Sequence, residues 1–113
     1  MRKIGTKNLL NYLTPLGKVP FLEWLNSLKD PSIRLRIRHR LDRLVLGNFG
    51  DHKAVGDGVS ELKLAFGSGY RIYLAEQDRD IIILLCGGDK KSQSKDIKTA
   101  KMYWKELKER SDE

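Results

Sequence analysis

The stretch from residue 59 to residue 91 constrains the fold most, because it reads as three consecutive β-strands followed by a basic loop. Apolar and other side chains alternate from 61 to 66, the period-2 pattern of a half-buried strand. The Gly-Ser-Gly tripeptide at 67–69 suits a three-residue hairpin loop, since glycine accepts the positive φ angles that such loops need. The chain then returns from 70 to 75, and the continuous apolar run at 81–86 is typical of an interior strand covered on both faces.

A three-residue loop places Phe66 opposite Tyr70 and thereby fixes the register of this hairpin. In that register Lys63 lies opposite Tyr73, and Arg71 is its diagonal neighbour on the same sheet face. The predicted hairpin therefore carries two cations and one tyrosine on a single face.

The loop after the third strand adds two further cations, Lys90 and Lys91, next to this face. We expect them to form a cationic cluster with Lys63 and Arg71 that receives a phosphate group. The alternative is a hairpin face that is merely solvated, and the residue pattern alone leaves both interpretations open.

Composition limits the class of protein. A chain of 113 residues suffices for one domain, 1–113, and no apolar run approaches the roughly 20 residues of a membrane span. The N-terminus lacks the apolar core of a signal peptide, so we expect a cytoplasmic protein. The single cysteine, Cys86, lies in an apolar run and is predicted to be a buried thiol, and no zinc-ligand spacing is present, so no cofactor is expected.

The formal net charge of +7 favours a polyanionic partner, either nucleic acid or an acidic protein. The excess is uneven, because residues 61–113 carry 11 basic and 10 acidic side chains. In that part of the chain, a basic function depends on where the charges lie and not on their number.

Two helices are predicted before the hairpin. The first spans about 20 to 29, with Pro20 at its first position and an apolar stripe made by Phe21, Trp24, Leu25 and Leu28. The second starts with Asp30 as its N-cap and Pro31 at its first position, and it ends at Gly47. Residues 33–40 also alternate as a strand does, but apolar positions recur with helical spacing up to residue 44, which favours a helix.

Five arginines between 34 and 43 are expected on the exposed sides of this second helix. They are either a solubilising surface or a belt that grips a phosphate backbone, for which the planar guanidinium is well suited. Arg36 and Arg40 are the two that we predict to contact substrate.

The remaining segments give weaker predictions. Residues 7–13 are either a short strand or a short helix, and the glycine-rich segment 48–58 is predicted to be a loop. His52 on that loop is a candidate base without an identifiable partner, and is more simply an incidental surface residue. A third, amphipathic helix capped by Ser92 or Ser94 is expected to end near residue 110 and to pack on the sheet.

Four segments, taken in order and spacing, resemble the RelE/ParE superfamily of bacterial toxins, and in particular its HigB-like branch of addiction-module killer proteins. They are PFLEWLNSL at 20–28, GDGVSELKLAFGSGYRIYLAE at 56–76, LLCGGDKKSQSKDI at 84–97 and AKMYWKEL at 100–107. The resemblance implies an α+β fold of microbial RNase type. Its expected parts are a small antiparallel sheet of three to four strands, a helical hairpin before the sheet and a C-terminal helix.

The resemblance also implies a function. Toxins of the RelE and HigB type inhibit translation by cleaving mRNA, usually on the ribosome, as endoribonucleases. They are neutralised by a cognate antitoxin encoded beside them, which in this branch commonly has a helix-turn-helix domain and represses the shared operon by binding operator DNA. We therefore expect a cytoplasmic toxin of a type II toxin–antitoxin system.

The matched positions assign catalytic roles to three residues. Lys63 matches the basic residue of the family's second strand, Arg71 the arginine of its third, and Lys90 the basic position after its fourth. Lys91 and Tyr73 are expected to bind substrate. The ribose 2′-hydroxyl would attack the adjacent phosphate without a metal, with Lys63 as the base and Arg71 stabilising the pentacovalent phosphate. No histidine falls at the matched positions, and the C-terminal tyrosine of some members has no clear counterpart.

Two other functions remain open from the sequence. One is a ParE-like toxin that poisons DNA gyrase through protein contacts, which the set of basic residues argues against. The other is a non-enzymatic nucleic-acid-binding module that uses the arginines of the second helix.

Overall fold

The computed structural model describes residues 6–111 and has the α+β architecture that the sequence predicts. The elements in chain order are β1 (Asn8–Asn11), α1 (Pro20–Ser27), α2 (Pro31–Val45), β2 (His52–Gly56), β3 (Val59–Lys63), β4 (Arg71–Asp78), β5 (Ile81–Gly88) and α3 (Gln93–Ser111). The strands form one sheet in the order β1-β5-β4-β3-β2. None of the helices within 6–111 combines the length and the apolar character that a membrane-spanning helix requires.

The sheet differs from the prediction in strand number and direction. It has five strands in the described chain, and it is mixed, because β1 runs parallel to β5 while the other neighbouring pairs are antiparallel. The fifth strand comes from the segment predicted to be a loop: β2 pairs with β3 and turns into it through Asp57 and Gly58, both at positive φ. An edge strand of this kind needs few apolar residues, which is why the pattern of 48–58 did not reveal it.

The hairpin of β3 and β4 has a longer loop than predicted, so its register is shifted by two residues. Lys63 pairs directly with Arg71 rather than with Tyr73, and the amide of Leu64 donates to the carbonyl of Tyr70 at 2.9 Å. The loop therefore contains residues 65–69. Because side chains alternate with a period of two, a shift of two residues leaves every side chain on the face that was predicted.

The helices form as predicted. The Asp30 carboxylate accepts a hydrogen bond from the amide of Ser32 at 2.9 Å and caps α2, which lowers the pKa of that carboxyl. Residues 33–40 are helical, since the buried Ile37 and Leu44 lie seven residues apart on one side of α2. Helix α3 begins directly after Ser92, one of the two predicted caps.

Side chains bury both faces of the sheet. Helices α1 and α2 cover one face, where the core residues are Phe21, Leu25, Ile37, Leu44, Leu62, Leu64, Ile72, Leu74, Ile82 and Leu84. Helix α3 covers the other face, where the core residues are Tyr12, Val59, Tyr73, Ala75, Ile83, Leu85, Cys86, Ala100 and Trp104. This double cover explains why β5 is apolar without alternation, as predicted. The prediction that Cys86 is buried is also confirmed.

Candidate functional site

A cleft of about 200 Å³ opens where β2, β3 and β4 meet, on the face of the sheet that α3 covers. It is lined by Asp51, His52, Lys53, Glu61, Lys63 and Arg71. Two cross-strand rows build it, one joining the backbone of Asp51 to Lys63 and Arg71, and the next joining Lys53 to Glu61 and Tyr73. Strand pairing thus brings the predicted Lys63 and Arg71 together in a concave site.

Arg71 is fixed at the buried end of this cleft, with 6% of its surface exposed. Its Nη1 donates to the carbonyl oxygen of Gly69 at 2.7 Å, and its Nε lies 3.7 Å from Oε1 of Glu61. That Nε is buried and makes no hydrogen bond within the described chain. A guanidinium has five N–H donors, so Arg71 is oriented by its neighbours while donors are left for an anion in the cleft.

Glu61 is the functional candidate that the sequence analysis missed. This carboxylate is only 2% exposed, and its Oε2 accepts hydrogen bonds from Tyr73 at 3.1 Å and from Gln93 at 2.9 Å. Its Oε1 lies near two cations, Arg71 and, at 3.9 Å, Lys53. The alternation of β3 placed Glu61 on the same face as Lys63, but nothing in the sequence indicated that the first turn of α3 would bury it.

Tyr73 is fully buried, so it does not offer its hydroxyl to a ligand in this structure. Burial, together with the adjacent Glu61 carboxylate, raises the pKa of its phenol well above the ordinary value. Its place beneath Glu61 makes Tyr73 a support for that carboxylate rather than a surface for substrate.

Of the three predicted lysines, Lys63 lines the cleft, whereas Lys90 and Lys91 follow β5 and are not among the lining residues. Lys63 has an exposed side chain and pairs directly with Arg71 across the strands. Lys90 is brought close by the hairpin loop: its amide donates to the carbonyl of Ser68 at 3.3 Å, and a Cβ on Gly69 would lie 3.3 Å from both Lys90 and Arg71. Lys91 is exposed, with its amide bound to the side chain of Asp89, one residue further from Arg71.

Arg36 and Arg40, the two predicted substrate contacts on α2, do not line this cleft. Arg36 packs its guanidinium 4.3 Å from the ring centre of Phe66, which belongs to the face covered by α1 and α2. Arg40 is buried instead of exposed, so the expectation of an exposed position was wrong for this arginine.

Arg40 acts as a clamp behind the cleft. Its guanidinium donates to the carbonyl oxygens of Lys63 at 2.9 Å, Phe49 at 2.8 Å and Asp51 at 2.9 Å. Burial lowers the pKa of Arg40, and the nearby Arg43 adds to this effect. These bonds hold the start of β2 and the end of β3 against α2, and so hold the backbone that carries Lys63.

His52 borders the cleft but is directed mainly to the other face. It pairs with Leu62, whose side chain belongs to the core beneath α1 and α2, and its ring lies 5.1 Å from that of Phe49. Its Nδ1 is 2.9 Å from the carbonyl oxygen of Gly50, which selects the tautomer protonated at Nδ1 when the ring is neutral.

The chain is similar to a bacterial protein over most of its length. The chain is 51% identical over 87 residues to a protein of Haemophilus influenzae (strain ATCC 51907 / DSM 11121 / KW20 / Rd), a match that covers 77% of this chain and 88% of the relative. That relative is described only as an uncharacterized protein. No family model matches the chain.

Proposed function

The chain belongs to the same family as the Haemophilus influenzae protein, and we propose that it is the toxin of a type II toxin–antitoxin system that cleaves mRNA on the ribosome as a metal-independent endoribonuclease. The observation that carries the proposal is the direct pairing of Lys63 with Arg71 in a cleft that also holds Glu61. The resemblance of the hairpin and its flanking segments to HigB-like toxins gives the class of reaction.

Arg71 stabilises the reacting phosphate in this proposal. When the ribose 2′-hydroxyl attacks the adjacent phosphorus, negative charge develops on the equatorial oxygens of the pentacovalent phosphate. Arg71 is oriented before substrate arrives, because Gly69 and Glu61 fix its guanidinium. A donor held in this way costs no reorganisation during the reaction, and the loss of one such group commonly reduces the rate by ~10² to 10³.

Two proton transfers complete the reaction. Lys63 acts as the base and takes the proton of the 2′-hydroxyl as the O2′–P bond forms. The P–O5′ bond then breaks, and Lys90 gives a proton to the leaving 5′ oxygen. The products are a 2′,3′-cyclic phosphate and a 5′-hydroxyl, and this proposed step consumes no water and needs no metal ion.

Glu61 is a positioning residue in this scheme. Its Oε2 is held by two donors, and its Oε1 faces Arg71 and Lys53. The carboxylate helps to hold the guanidinium of Arg71 in place, since Oε1 lies 3.7 Å from its Nε.

The proposal includes the partners that the family resemblance implies. The chain acts in the cytoplasm, where it meets ribosomes, and a cognate antitoxin with a helix-turn-helix domain silences it and recruits the pair to operator DNA. The positive net charge suits both an RNA substrate and an acidic partner segment.

Growth arrest and cleavage of mRNA in a translation extract test the proposal. Arg71→Ala and Lys63→Ala are expected to abolish both, whereas Lys29→Ala, an exposed lysine outside the cleft, is expected to leave both unchanged. Circular dichroism and thermal unfolding establish that each variant is folded. If folded Arg71→Ala and Lys63→Ala proteins still cut mRNA, the assignment of the cleft is wrong.

A further inference from the structure

Helix α3 carries five lysines, at positions 95, 98, 101, 105 and 108, and none of them lines the cleft. Lys98, Lys101, Lys105 and Lys108 are spaced by three, four and three residues, which places them along one side of the helix. We call these four residues the lysine stripe. Two acidic residues of α3 make contacts away from the stripe: Glu106 accepts from Tyr12, which follows β1, and Asp96 accepts from Ser92. Glu109 forms an exposed ion pair with Lys105 at 3.9 Å, which is weak because both side chains are in solvent.

The lysine stripe borders a groove of about 480 Å³ between α3 and the turn from β2 to β3. The groove is lined by Asp57, Lys101, Met102, Lys105 and Lys108. Its one acidic lining residue, Asp57, is 3.7 Å from Lys101, and Asp57 is 75% exposed, so this ion pair is weak. Lys108 lies 5.3 Å from the ring centre of the buried Trp104.

Strand β2 joins this groove to the cleft. It runs from His52 beside the cleft to Gly56 beside the groove, a length of about 13 Å at ~3.3 Å per residue. A Cβ on Gly56 would lie 3.0 Å from the ammonium nitrogen of Lys101, so the stripe reaches the end of this strand. Lys53, with 65% of its side chain exposed, lines the cleft and lies on this strand. Strand β2 thus contributes a cation to the cleft near one end and meets Lys101 of the stripe at the other.

The arginines of α2 make a weaker candidate for the same role, because the protein itself engages three of them. Arg34 donates to the carbonyl of Leu28, Arg36 covers Phe66, and Arg40 is buried in its clamp. The lysines at 98, 105 and 108 are exposed. The ammonium groups of lysine, on flexible side chains, suit a nucleic-acid backbone that is recognised through the charge of its phosphates.

We propose that the lysine stripe binds the phosphodiester backbone of the RNA strand outside the cut, as an extension of the cleft along β2. This inference rests on the proposed function for the identity of the strand. It adds a cationic binding surface to a part of the chain, residues 61–113, in which basic and acidic side chains are nearly equal in number. The same chemistry would also bind ribosomal RNA, and the test separates the two sources.

The experiment measures binding of single-stranded 2′-deoxy oligonucleotides, which lack the attacking hydroxyl and so stay intact, at several salt concentrations. One probe of about 4 nucleotides fills the cleft, and one of about 12 nucleotides also covers the stripe. The variant is Lys101→Gln/Lys105→Gln/Lys108→Gln. The matched control, Lys18→Gln/Lys29→Gln/Arg38→Gln, removes the same charge from exposed positions elsewhere.

We expect the parent and the control to bind the longer probe more tightly. In the stripe variant, the slope of log K against log salt for that probe should fall by about 2, since each phosphate contact with a single strand contributes about 0.7. The affinity at 0.1 M salt should fall by up to about 100-fold, while the shorter probe should bind as before.

Three results would overturn the inference: an unchanged slope in the stripe variant, an equal loss in the control, or lost sedimentation with ribosomes while the longer probe still binds normally. The last result assigns the stripe to ribosomal RNA. A test of mRNA cleavage by the parent protein separates failure of the stripe proposal from failure of the cleavage proposal. If the parent cuts mRNA and the stripe variant binds normally, only the stripe proposal fails. If the parent cuts nothing and the variant loses the longer probe, only the cleavage proposal fails.

Discussion

Replacing Arg40 by methionine is expected to destabilise the fold strongly, although the residue lies on a helix rich in exposed arginines. The change removes a guanidinium that donates three hydrogen bonds of 2.8–2.9 Å to backbone carbonyls. Hydrogen bonds to a charged group contribute roughly 1.5–3 kcal/mol each, but returning this buried cation to water recovers part of that sum. Two of the three carbonyls belong to exposed residues, Asp51 and Lys63, so water replaces part of the rest. We therefore expect a net loss of about 3 kcal/mol.

Urea unfolding followed by circular dichroism measures this loss as a lower midpoint with an unchanged m-value. In a domain of this size, 3 kcal/mol corresponds to a fall in Tm of roughly 12–24 °C. Arg38→Met is the matched control, because Arg38 is exposed on the same helix. Arg40→Lys should fall between the two, since a single ammonium group cannot reach three carbonyls in the geometry of a guanidinium. If Arg40→Met unfolds within about 0.5 kcal/mol of the Arg38 control, the clamp does not hold the cleft.

Three further results follow from the structure. Gly87→Ala should cost about 1–3 kcal/mol of unfolding free energy, because the new Cβ would lie 2.2 Å from the ring of Trp24; an unchanged Tm would refute this packing. Glu61→Gln should lower kcat for RNA cleavage more than it raises KM, as expected if the carboxylate orients Arg71; a pure rise in KM would contradict that role. Burial raises the pKa of the Cys86 thiol from 9.0 to about 12, because it disfavours the thiolate. The contribution of the buried thiol to the free energy of unfolding should therefore be fully present below pH 9 and be lost as the pH rises towards 12. Unfolding in urea across that range, compared with Cys86→Ala, measures it, and a flat difference would exclude the shift.

The sequence predicted most of the fold because its signals are local. Apolar periodicity located the helices and three of the strands, and proline with a capping aspartate at 30–31 marked the start of α2. The face shared by Lys63 and Arg71 was also correct, because it depends only on alternation along each strand. The error in register did not change it, since the longer loop at 65–69 shifted the pairing by an even number of residues.

The errors arose where distant parts of the chain determine the structure. Edge strand β2 exists because β3 offers it a partner, and its own residues carry little apolar pattern. Arg40 is a residue type expected on the surface, but it is buried and donates to three carbonyls, one at the end of β3 and two in the segment before β2. Glu61 and Tyr73 became a buried pair because α3 packs over them and supplies Gln93. None of these contacts is visible in a window of the sequence.

The central claim is tested most directly by primer extension on a cellular mRNA minutes after induction of the parent chain and of Arg71→Ala. A ribosome-dependent endoribonuclease with Arg71 in its site should give discrete new 5′ ends at codon-phased positions, and these ends should be absent with the variant. Growth arrest by the parent with intact mRNA would contradict the account and favour a toxin that acts on DNA gyrase.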